Sequence, residues 1–128
     1  IGKYSSAEQS PDGLVIRTKS NDPWVSHRLP QPAAGGDLSV HLRMKAEGGG
    51  AGAVMWTAPG SPAFNGRERS APFAPVFDGE PHIYQIPLPA KKVTGIRIDP
   101  GTAPGTYTIE EVAVLRGDET LWTWPATK

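Results

Sequence analysis

VTGIRIDPGTAPGTYTIEEVAVL, residues 93 to 115, holds two alternating apolar runs, Ile96/Ile98 and Tyr107/Ile109, on either side of a segment dense in proline and glycine. Residues that fix or permit turn dihedrals fill Asp99 to Gly105, so the stretch reads as a strand, a tight connection and a second strand. Period-two alternation puts Ile96 and Ile98 on one face and Arg97 on the other. The second run changes phase: Tyr107 and Ile109 set one parity, Val112 and Val114 the other, with Glu110 and Glu111 between them. A β-bulge produces this slip. The alternative, Glu111 facing inward beside Ala113 and Leu115, would bury an unpaired carboxylate at a cost of roughly several kcal/mol.

The same reading extends outward. Leu38, Val40, Leu42, Met44 and Ala46 form an unbroken apolar row opposed by Ser39, His41, Arg43, Lys45 and Glu47, which fixes the register of a strand over 38–46. Leu14 to Lys19, Ala53 to Thr57, His82 to Leu88 and Leu121 to Trp124 read as further strands, and Tyr4 to Ser10 as an edge strand. Pro87 and Pro89 favour an edge or a strand end. A strand from Trp24 to Leu29 is expected to be broken by Pro30, Pro32, Gly35 and Gly36. The glycines at 48–50 and 52 lack the Lys-Ser/Thr and helix of a phosphate-binding loop and read as a flexible hairpin connection. Residues 58–75 form the longest irregular segment.

Fifteen glycines and 14 prolines among 128 residues exceed a fifth of the chain, against a usual share of about 12%, and exclude long helices. The length suits one domain, residues 1–128. Zero formal net charge gives no global field for nucleic acid or an anionic membrane. The absence of cysteine removes disulfides, thiolate metal sites and cysteine nucleophiles. No apolar run approaches the roughly 18 residues of a membrane span. No signal peptide is visible at Ile1-Gly2-Lys3-Tyr4, so the chain reads as a module excised from a larger protein.

The closing stretch, with DGLVIRTKSNDPWV, LSVHLRMKAEGGGAGAVMWT and FDGEPHIYQIPLP in that order before it, resembles the carbohydrate-binding-module-like domains appended to secreted bacterial carbohydrate-active enzymes and sulfatases. The resemblance implies an all-β, two-sheet antiparallel jelly-roll sandwich of galactose-binding-like architecture with about eight or nine strands. It also implies a secreted or extracellular setting beside a catalytic domain. Modules of this kind often hold a structural calcium, for which Asn21, Asp22, Asp99 and Glu110 offer oxygen ligands.

Catalytic constellations are missing. There is no G-x-S-x-G, and His27, His41 and His82 sit on three different elements without ligand spacing. Glu110 and Glu111, with Asp99 near in sequence, are the available carboxylate pair, but adjacent strand residues point to opposite faces. The chain is therefore read as no enzyme. Sugar rings present apolar C–H faces and a rim of hydroxyls, so a polysaccharide or oligosaccharide partner requires exposed aromatic planes ringed by polar groups. Trp24 and Phe64 are the expected platforms, with His27, Asn65, Arg67, Arg69 and Arg97 as the polar rim. Trp56 shares parity with Val54 and belongs in the core, while Trp122 and Trp124 share a face and either cap the core or form a platform. Arg17, Lys19, Arg43 and Lys45 would form a basic stripe for an acidic or sulfated polysaccharide if their strands share a sheet. The rival role is a structural accessory domain that packs on a neighbouring catalytic domain and has no ligand of its own.

Overall fold

The computed structural model describes residues 5–10, 13–19, 23–59 and 69–125. Its described residues form ten strands: β1 (Ser5–Ser10), β2 (Gly13–Thr18), β3 (Val25–Ala34), β4 (Leu38–Ala46), β5 (Gly52–Thr57), β6 (Ser70–Phe73), β7 (His82–Leu88), β8 (Lys92–Asp99), β9 (Gly105–Arg116) and β10 (Glu119–Trp124). They make two antiparallel sheets, one ordered β1-β2-β9-β4-β7 with β10 also on β9, the other β3-β8-β5-β6. This is the two-sheet antiparallel jelly-roll sandwich that the family resemblance implied, with ten strands among the described residues where eight or nine were expected. β8 and β9 fall in different sheets, so the proline and glycine segment between them carries the chain across the sandwich.

The core lies between the inner rows of the two sheets. Leu38, Val40, Leu42, Met44, Ile109, Val112 and Val114 face Val54, Trp56, Val93, Ile96 and Ile98, each at most 3% exposed. Burying a side chain of this size contributes about 1.5–3 kcal/mol, so the fixed parity of these strands is the main determinant of the layer arrangement. The anticipated bulge is present. Arg43 pairs with Glu111 and Met44 with Ile109, leaving Glu110 as the extra residue on β9. One inserted residue therefore lets Tyr107/Ile109 and Val112/Val114 all point inward.

Aromatic side chains close both long sides of the sandwich. Phe73 and Tyr84 meet at 5.1 Å between ring centroids, joining β6 to β7. On the other side the His27 ring of β3 lies 5.3 Å from both Trp122 and Trp124 of β10. Trp122 and Trp124 thus cap the core edge rather than forming an outer platform, as the inward register Trp122↔Val114 and Trp124↔Val112 requires.

One end is held by Tyr107. Its hydroxyl donates to the Ala103 carbonyl at 2.7 Å and accepts from the Gly49 amide at 3.4 Å, while Thr102 N donates to Gly49 O at 2.8 Å. A Cβ at Gly48 would overlap that hydroxyl, and one at Gly101 would come within 2.6 Å of it. The glycine loop is thus packed against a buried phenol and joins the two sheets, where a flexible hairpin was expected.

Proline misled the sequence reading twice. β3 continues through Pro30 and Pro32 to Ala34, but its register breaks there: Arg28 pairs with Gly95, then Ala33 with Val93, so Leu29 to Pro32 bow out opposite Thr94. β6, inside the segment read as irregular, pairs Pro72 with Ala53 at the sheet edge. Both strands are edges, where a missing N–H leaves no ladder bond unmade.

Candidate ligand-binding face

The outer face of the four-stranded sheet combines an aromatic platform with a hollow. Trp24 immediately precedes β3 and is half-buried. The Arg97 guanidinium carbon lies 4.7 Å from the Trp24 ring centroid, a cation–π contact worth about 0.5–1 kcal/mol at such a site. Asp99 fixes that guanidinium in turn, accepting from Nε at 2.8 Å and Nη2 at 3.1 Å. Residues two apart on a strand share a face, so β8 presents Arg97 and Asp99 together away from the buried Ile96 and Ile98. The Asp99-clamped guanidinium thus packs against the indole and restricts the orientations open to the ring.

Beside this platform, where β3 bows away from β8, lies a hollow of about 620 Å³ lined by Ser26, Arg28, Pro32, Thr57, Thr94 and Gly95 with Ala58, Pro59, Leu29 and His27. Its floor depends on Gly95, where a Cβ would stand 2.9 Å from Thr57 Oγ1 and 3.2 Å from the His27 carbonyl. The Thr57 and Thr94 hydroxyls are hydrogen-bonded to each other at 2.8 Å. Val93 and Ile96 are both fully buried, so β8 shifts phase across Thr94–Gly95 and turns Thr94 toward the hollow.

Of the residues expected to bind, Trp24 and Arg97 come together on this face. His27 lies on the opposite side of β3 from Trp24, Ser26 and Arg28, with its ring against Trp122 and Trp124. Among the described residues its buried Nε2 has no hydrogen-bond partner, and burial lowers its pKa from 6.5. Arg69 is half-buried and its Nε donates to the Trp56 carbonyl at 3.2 Å, tying β6 to β5. Phe64, Asn65 and Arg67 lie outside the described residues, as do Asn21 and Asp22.

The described members of the calcium set lie on different sheets. Asp99 engages Arg97 with both oxygens, and Glu110 is on the other sheet, accepting from Arg43 at 3.3 Å. Among the described residues no group of three or more His, Asp or Glu side chains converges. The histidines remain apart, His82 with Asp78 at 3.0 Å and His41 with Glu111 at 3.6 Å.

The basic stripe is also interrupted. β2 and β4 share a sheet but β9 runs between them, placing Glu111 opposite Arg43 and Glu110 in an ion pair with it. The sequence reading missed Arg28, Thr57 and Thr94. Arg28 carried one available signal, the shared parity with Trp24 and Ser26.

No protein-family model and no curated protein sequence matches the chain. Solved structures do. A point mutant of the family 29 carbohydrate-binding module CBM29-2, complexed with cellulohexaose, superposes with a TM-score of 0.64 at 14% identity, covering 88% of this chain and 75% of that one. The C-terminal CBM6 of LamC, a marine laminarinase from Zobellia galactanivorans, gives 0.55 at 12% identity, with 88% of each chain covered. The module CBM6cm-2 of Cellvibrio mixtus lichenase 5A, in complex with cellotriose, gives 0.52 at 16% identity over 88% of this chain and 86% of that one. The chain has the fold of carbohydrate-binding modules. At these identities the likeness establishes architecture, and the ligand has to be argued from this chain's own surface.

Proposed function

We propose that the chain is a non-catalytic carbohydrate-binding module whose glycan lies across the outer face of the four-stranded sheet. The observation that carries this reading is Trp24, a half-buried indole on that face, backed by Arg97 at 4.7 Å and adjoining the hollow. An indole offers a sugar ring the flat apolar surface that its axial C–H groups require, and the hydroxyls of Ser26, Thr57 and Thr94 offer partners for its rim. Structures of the same fold that hold cellulohexaose and cellotriose support a β-linked glucan as the first ligand to test. In this reading the chain directs a larger secreted enzyme to its polysaccharide.

Affinity electrophoresis through β-glucan gels and titration calorimetry with cello-oligosaccharides test the reading. Retention of the chain, lost in Trp24→Ala with an unchanged melting temperature, is the expected result. Absence of retention on every glycan gel, or full retention by Trp24→Ala, would overturn it.

A further inference from the structure

We propose that the hollow beside Trp24 receives an anionic substituent of the glycan, a carboxylate or a sulfate, held by Arg28. The inference rests on the carbohydrate-binding reading and specifies the chemical class of the sugar. The four strands of this sheet carry a single acidic residue, Asp99, and both its oxygens accept from Arg97. Arg28 is exposed at the rim of the hollow, and among the described residues it has no carboxylate partner. Its guanidinium offers a planar fork of N–H donors that matches carboxylate and sulfate oxygens in pairs.

The floor supplies a further donor. Thr57 and Thr94 share one hydrogen bond at 2.8 Å, which uses one of their two hydroxyl protons, whichever residue donates. The remaining proton has no acceptor among the described residues and is available to the hollow. Among the described residues no carboxylate lines the hollow, and Leu29, Pro32, Ala58 and Pro59 supply apolar walls. An arginine fork and a hydroxyl donor beside apolar walls, with no carboxylate among the described lining residues, favour an acceptor-rich, negatively charged group.

The test compares calorimetric affinities of the whole chain for three oligosaccharides of equal length: neutral β-glucan, a polyuronate and a sulfated galactan, at low and high salt. Tighter binding of one charged ligand by about tenfold, shrinking with salt, is expected, and the ligand that shows it identifies carboxylate or sulfate as the source. Arg28→Ala should lower that affinity to the neutral value, and Arg28→Lys should recover only part of it, because an ammonium lacks the fork. Arg43→Ala, on the other sheet, should leave the preference in place. Equal affinities for charged and neutral ligands, with binding still dependent on Trp24, would overturn this inference and leave the carbohydrate-binding reading standing. A preference that survives Arg28→Ala or disappears in Arg43→Ala would overturn it as well. Binding to none of the three would remove both.

Discussion

The two outer faces of the sandwich are built from the same alternating strands and differ in how their charges are matched. On the six-stranded sheet Arg43 pairs with Glu110 at 3.3 Å and His41 approaches Glu111 at 3.6 Å, so basic and acidic side chains from neighbouring strands meet. On the four-stranded sheet the single acid of the strands is taken by Arg97, Arg28 has no carboxylate partner among the described residues, and an indole and a hollow lie on the same face. The first pattern is what keeps an exposed sheet hydrated and blocks edge pairing. The second concentrates aromatic area and unmatched donors in one place. A row of outward arginines and lysines is therefore poor evidence of a binding surface until the strand that lies between them is known.

The contrast can be broken experimentally. Trp24→Ala should cause the largest change, about 30-fold weaker glycan binding, equivalent to about 2 kcal/mol for a central aromatic contact; calorimetry reads it, and a loss under threefold would deny the four-stranded face its role. Gly95→Ala should follow. Its Cβ would meet Thr57 Oγ1 at 2.9 Å and the His27 carbonyl at 3.2 Å, lowering stability by about 1–3 kcal/mol through overpacking, measured as a drop in the urea midpoint at constant slope.

Acidification should act through His27. Burial holds its folded pKa below 6.5, so the unfolded chain takes up the proton first as the pH falls. Stability from this residue is intact above pH 6.5, declines between 6.5 and the lowered folded value, and levels off below it. His27→Gln should flatten the melting temperature across that window. Asp78, whose pKa is lowered from 3.8 by the Glu80 amide and the His82 side chain, titrates in a more acidic range and leaves the His27 window distinct. Smallest of all, Arg43→Ala on the six-stranded face should change stability by about 0.5 kcal/mol or less and leave glycan binding unaltered; a clear loss of binding would erase the distinction between the faces.

Much of this architecture was legible in the sequence, because burial imposes a period of two that residues 38–46 and 93–115 display openly. Even the bulge at Glu110 could be read, since its only competitor was a buried unpaired carboxylate. The signal failed where proline stands in edge strands. Pro30, Pro32 and Pro72 look like breaks locally, yet the edge position that tolerates them is a property of the assembled sheet. Trp24 and Arg97 were recognisable by residue type. The hollow was not, because it arises from a register offset between β3 and β8 and from two threonines 37 residues apart that meet only after folding. His27 shows the opposite error: a polar residue near Trp24 in sequence, it faces the other way by one step of alternation.

β9 has a further consequence. Along one edge it pairs first with β2, through Gly105 to Ile109, and then with β10, through Val112 to Arg116, the bulge at Glu110 separating the two partners. A single ribbon thus carries two independent zippers, while β4 spans both on the opposite edge. Amides on the two sides of Glu110 are expected to exchange with deuterium at separate rates, so β10 can peel away as a unit while the β2 zipper stays closed.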